Sequence, residues 1–171
     1  MSQSPPPPPR DLEVLPWPVF GEAVRELAET IVKSGFRPDL VLSVARGGLT
    51  VGGALAYALA VKDCFTINVV YYVDVDQRLD IPAVLPPVPD PIAMNDLNVL
   101  IADDVADTGN TLALVREFCS GHARETRTGV LYRKPWSIID PDFFWRETDR
   151  WVAFPWSADG PVSGAPDPGR G

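Results

Sequence analysis

The chain has 171 residues, 46% hydrophobic and 22% charged, enough for one compact domain with a sizeable core. Its formal net charge of −8 and pI of about 4.5 argue against nucleic acid and anionic membranes as partners, since both reward clustered Lys and Arg. Two cysteines, Cys64 and Cys119, show neither metal-ligand nor disulfide-scaffold spacing and have apolar neighbours, so buried free thiols are expected.

Residues 1–15 are expected to be a solvated tail, because Pro5 to Pro9 form an extended polyproline run without internal hydrogen bonds. No basic stretch precedes an apolar one there, so a cytoplasmic location is expected. From Pro18 the pattern turns helical, with Phe20, Val24, Leu27 and Ile31 at spacings of three and four, and Gly35 closes the helix. Leu40 to Val44 reads as a short apolar strand. It runs into Ala45-Arg46-Gly47-Gly48 and then an apolar helix, Leu49 to Val61, too short to cross a bilayer. Paired glycines let the backbone approach either a ligand or a packing partner, and the helix start adds a positive dipole end. Phe65 to Val73 alternates like a strand. Asp74 to Pro91, rich in Pro and Asp, reads as a long loop, which in a compact domain is either disordered or functional.

The most informative stretch is Val99 to Leu112. An apolar strand, Val99 to Ala102, ends at Asp103-Asp104. A third acid, Asp107, follows, and Thr108-Gly109-Asn110-Thr111 opens a helix running to Cys119. Such a turn aims several backbone N–H groups and a helix dipole at one spot, which suits a phosphate. Phosphate-binding amides beside three carboxylates imply a ligand carrying both phosphate and hydroxyls, or a metal ion between them. The only histidine, His122, reads as a helix-end surface residue. Thr126 to Tyr132 is another strand, ending at Arg133-Lys134-Pro135. Pro141 to Trp156 is a Trp-rich segment, and 157–171 reads as a fraying Gly/Pro/Ser tail. Alternating strands and helices imply a parallel sheet with helices on both faces. Ligands collect beyond the C-terminal strand ends of such sheets, where Arg46, Asp103 to Asp107 and Lys134 all fall.

The acidic strand end with Asp-Thr-Gly-x-Thr resembles the signature of type I phosphoribosyltransferases, and the resemblance covers roughly residues 36–156. It implies the type I phosphoribosyltransferase fold: a doubly wound, mostly parallel α/β sheet with a small hood built from the C-terminal and N-terminal segments. The domain would span 16–156. By the same resemblance Ala45, Arg46, Gly47 and Gly48 form the pyrophosphate-binding loop, with a cis peptide at Ala45–Arg46. Asp103 and Asp104 hold the ribose hydroxyls and, through the substrate, Mg2+. Asp107, Thr108, Gly109, Asn110 and Thr111 cup the 5-phosphate, and Asp107 is the general acid/base. Asn110 departs from the small or cationic residue many relatives place there, which a loop binding through amides should tolerate. The region 74–91 corresponds to a flap over the site, with Tyr71, Tyr72 and Arg78 as candidate contacts and ordinary strand packing or a solvated charge as the alternative.

The C-terminal Lys-Pro strand end, the aromatic-apolar pair and Pro-Trp resemble the purine members of the family. There Lys134 would donate to a purine 6-oxo group, Trp151 would stack on the ring, and backbone groups at Val152 would read the base edge; a Trp-rich cap closing the core is the alternative for Trp151. The implied reaction is Mg2+-dependent transfer of the 5-phosphoribosyl group from phosphoribosyl pyrophosphate to hypoxanthine, guanine or xanthine, as in purine salvage; a homodimer is expected only because dimers are the commonest oligomers. Two other readings fit the same residues: a non-catalytic regulator binding the same ligand, and an enzyme with a non-purine acceptor.

Overall fold

Each central strand carries apolar side chains on both faces, so both faces of the sheet must be covered by helices. The structure, a computed structural model, describes residues 11–74, 77–85 and 90–163. Six strands form the main sheet: β2 (Leu40–Ala45), β3 (Asp63–Asp74), β4 (Gln77–Leu85), β5 (Asn98–Ala106), β6 (Glu125–Arg133) and β7 (Phe143–Glu147). They lie in the order β4-β3-β2-β5-β6-β7, parallel throughout except that β4 runs antiparallel to β3.

Strand alternation sorts the core into two layers. Val41, Leu100 and Leu131 pack against α1 (Trp17–Lys33) and α2 (Gly47–Ala58). Leu42, Ile101 and Val130 pack against α3 (Asn110–Cys119) on the other face. Helix α1 buries Phe20, Ala23, Val24, Leu27, Ala28 and Ile31 on one stripe, takes a proline in its first turn, and is followed by Gly35 at φ +86°. Helix α3 is clamped to the β6–β7 connection, for Arg116 pairs with Asp142 at 2.5 Å and that carboxylate accepts from the Thr128 amide at 2.7 Å. This is the doubly wound sheet the sequence implied.

Four expectations change. Leu12–Val14 is a strand, β1, pairing in parallel with β8 (Trp151–Ala153), and Leu15 is buried, so the N-terminal tail ends earlier than residue 15. This small sheet is the hood. Half of the expected 74–91 loop is strand β4, with Pro82 opposite Tyr71; an edge strand accommodates a proline whose missing N–H faces outward. The side chains of Tyr71, Tyr72 and Arg78, and the flap roles expected of them, lie outside the described part. The signature strand does not stop at Ala102 but continues to Ala106, held by pairing with β6 through Arg133. Finally, Cys119 is buried, with burial pushing its thiol up to about 11, whereas Cys64 is exposed. Apolar neighbours along a strand face the opposite side and do not bury the residue between them. His122 is exposed, as expected. Among the described residues no helix is long and apolar enough to cross a membrane.

Candidate active site

The C-terminal ends of β2, β5 and β6 are neighbours in the sheet, and the three sequence motifs sit at those ends. A cavity of about 320 Å³ opens beyond β5, lined by Asp103 and residues 105–112. Its floor is the turn into α3. Gly109 caps that helix at φ +84° and contributes no side chain, so nothing of its own obstructs the amides of the first turn. A Cβ on Gly109 would lie 2.5 Å from the Ser137 hydroxyl and 2.6 Å from Ile139, so the turn packs directly on the β6–β7 connection.

Because β5 continues through the acidic pair, Asp103 and Asp104 point to opposite faces. Asp103 faces the cavity and is buried; its carboxylate accepts the Asp104 amide at 2.9 Å. Asp104 faces α2, where its carboxylate fills the space a Gly47 side chain would need. A Cβ on Gly48 would meet the Ala102 carbonyl at 2.5 Å and the Asp103 carboxylate at 3.2 Å. The Gly-Gly loop therefore lies against the acidic pair, and the Ala45–Arg46 peptide entering it is cis. Burial, reinforced for Asp103 by repulsion from its neighbour, raises both carboxyls. Asp104 reaches about 6, with hydrogen bonds from Asp103, backbone groups and the Trp156 side chain opposing burial. Asp107, just past the strand, is exposed.

Lys134 follows β6 and is buried, its amide bonded to the Ala106 carbonyl at 2.9 Å. Its ammonium donates to the carbonyl of Arg150, the residue before Trp151, so the end of β6 and the hood strand meet. Burial lowers the Lys134 pKa, against the pull of Asp107, Asp149 and Glu13. In the hood Trp151 is 45% exposed whereas Val152 is buried, on opposite faces of β8.

The sequence pattern of the phosphoribosyl transferase domain matches residues 12–160. The chain belongs to that family. A xanthine-guanine phosphoribosyltransferase of Roseobacter denitrificans is 30% identical over 155 residues, spanning 86% of this chain and 79% of that protein. One from Gluconobacter oxydans is 28% identical over 143 residues, 82% of this chain and 81% of its own. A purine phosphoribosyltransferase of Pyrococcus horikoshii superposes with a TM-score of 0.77 at 33% identity, covering 89% of this chain and 97% of that one.

For a phosphoribosyltransferase, the fold thus gathers the Arg46–Gly48 loop, Asp103, Asp104, Asp107 to Thr111 and Lys134 at one rim of the sheet, with the hood against Lys134. Two features depart from the expected picture. Asp104 does not line the cavity that Asp103 lines; its carboxylate lies against Gly47 instead. The β6–β7 connection also reaches the site, for the Trp136 indole donates to the Asp107 carboxylate at 3.1 Å. Its one sequence signal is a tryptophan in a polar turn, where a large apolar ring is otherwise unexplained. Among the described residues no cluster of three or more His, Cys, Asp or Glu could hold a metal unaided. The Asp103–Asp104 pair still fits Mg2+, which prefers one or two carboxylates with the remaining ligands from water and substrate oxygens. Both carboxylates lie against the Gly47–Gly48 loop with raised pKa values, so a cation bound there would relieve them.

Proposed function

We propose that the protein transfers the 5-phosphoribosyl group of phosphoribosyl pyrophosphate to the ring nitrogen of a 6-oxopurine, releasing pyrophosphate and a nucleoside monophosphate, as a salvage enzyme. The observation that carries this reading is the contact between Lys134 and the backbone beside Trp151, which joins a buried cation to an aromatic hood next to the phosphate turn. The relatives named as xanthine-guanine and purine phosphoribosyltransferases support the choice of acceptor.

In this reading the amides of Thr108 to Thr111 and the Thr111 hydroxyl hold the 5-phosphate at the positive end of α3. Asp103 and Asp104 accept hydrogen bonds from the ribose hydroxyls and would hold Mg2+, which when bound would offset pyrophosphate charge. The Ala45–Gly48 loop binds the pyrophosphate through its amides, with Arg46 adding a cation. Lys134 donates to the purine 6-oxo group, Trp151 stacks on the ring and the backbone at Val152 reads its edge. The bond from the anomeric carbon to pyrophosphate breaks as the base nitrogen attacks, through an oxocarbenium-like transition state. The chain supplies alignment and electrostatic stabilisation. Asp107 takes the proton that the attacking nitrogen loses. The proposal includes a homodimer in the cytoplasm, read by sedimentation and cell fractionation.

The test is pyrophosphate release with Mg2+, phosphoribosyl pyrophosphate and a panel of hypoxanthine, guanine, xanthine, adenine and pyrimidines. Turnover with a 6-oxopurine is expected; none with any purine rejects the assignment. Asp107→Asn is expected to cut kcat about 100-fold or more while KM changes little. Equal losses in both remove Asp107 from the proton-transfer role.

A further inference from the structure

Asp107 stands on an exposed loop just beyond β5, where an aspartate side chain is otherwise free to sample several rotamers. A proton acceptor must lie within hydrogen-bond reach of the reacting nitrogen, so that freedom is a cost to catalysis. The only hydrogen bond recorded for the Asp107 carboxylate among the described residues comes from the Trp136 indole N–H, 3.1 Å from Oδ1. Trp136 is itself fixed from two sides. Its ring lies under the Lys134 ammonium, 5.5 Å from the ring centroid. Its backbone neighbours are tied to the same loop that carries Asp107: Lys134 N–H donates to the Ala106 carbonyl at 2.9 Å and Ile138 N–H to the Thr108 carbonyl at 2.9 Å, while Ser137 N–H closes the turn onto the Lys134 carbonyl at 3.1 Å.

We propose that Trp136 is a positioning residue for the acid/base step: its indole N–H holds Oδ1 of Asp107 and leaves Oδ2 to face the attacking nitrogen. The arrangement has a specific logic. An indole has two side-chain torsions and one donor, so it grips a carboxylate with little entropy lost and blocks only one oxygen. The same ring touches Lys134, so the group that meets the purine oxygen and the group that takes its proton share one strut. Trp136 is 53% exposed, which is unusual for a tryptophan serving only as packing. The inference rests on Asp107 being the acid/base of the proposed transfer.

Two measurements decide it on the full-length protein. Trp136→Phe keeps the ring over Lys134 and removes the donor. It is expected to lower kcat about tenfold, a part of the roughly 10²–10⁴-fold that a placed acid/base supplies, with KM for the base within twofold. Unchanged kcat overturns the proposal, as does a raised KM at unchanged kcat, which would mean the ring contacts the base instead. Independently of any substrate, the 15N-labelled indole resonance of Trp136, assigned by its loss in Trp136→Phe, is expected to move in Asp107→Ala and to exchange faster with solvent. An unmoved resonance overturns the proposal. If no purine is turned over by the wild type, the function reading falls, and the resonance alone still decides whether Trp136 holds Asp107.

Discussion

At the residue scale, the adjacent acids Asp103 and Asp104 are costly and therefore informative. Asp104 titrates near 6 in the fold against an ordinary 3.8, chiefly because burial disfavours its charge. Between those two pH values the folded chain binds a proton that the unfolded chain has lost. Its contribution to stability is full below about pH 3.8 and is lost as pH rises through about 6. At neutral pH the charge on Asp104 thus weakens the fold by about 1–3 kcal/mol, a cost that makes sense only if a ligand relieves it. Asp104→Asn, which keeps an acceptor for Trp156, should raise Tm by about 2–6 °C at pH 7.5 and by almost nothing near pH 3.5. Calorimetry at the two pH values checks this. An equal shift at both would trace the effect to packing rather than to charge.

At the element scale, the turn from β5 into α3 combines two demands that glycine alone meets at position 109, a left-handed φ and room against Ser137 and Ile139. Gly109→Ala should lower Tm by about 5 °C or more and weaken phosphoribosyl pyrophosphate binding in calorimetric titration. Gly21→Ala, in helix α1 with nothing within 4 Å of the new Cβ, should instead leave Tm unchanged or raise it. If both behave alike, the steric account of Gly109 is wrong. This turn was legible in the sequence apart from the end of its strand, which runs on from Ala102 to Ala106, because strand, acids, glycine and helix follow one another along the chain. So were α1 and the central strands, through their apolar periods. Strand β1 was not, because three residues carry no period and their partner, β8, lies about 140 positions away. Strand β4 hid behind prolines that an edge position tolerates. The Trp136–Asp107 bond was invisible for a different reason: it crosses between two loops brought together only by the pairing of β5 with β6.

At the scale of the whole molecule, the puzzle is how a chain of net charge −8 would capture the polyanionic donor that the proposed transfer requires. Two fields compete. Amides and the dipole at the start of α3 act over one helical turn, and against a phosphate seated on them salt screens much less than it does between exposed charges. The overall negative charge acts over tens of ångströms and is screened, since the Debye length falls from about 30 Å at 0.01 M to about 8 Å at 0.15 M. If capture is governed by the long-range field, salt relieves repulsion during approach, and KM for phosphoribosyl pyrophosphate should fall about twofold between 20 and 200 mM KCl at fixed free Mg2+. If Arg46 and Lys134 instead dominate through exposed charge–charge attraction, KM should rise over the same range. The burial of Lys134 and the amide-lined turn favour the first outcome, because the short-range attractions are those that salt touches least. A rising KM would show that the local cations set the affinity, and that the acidic surface plays no part in substrate capture.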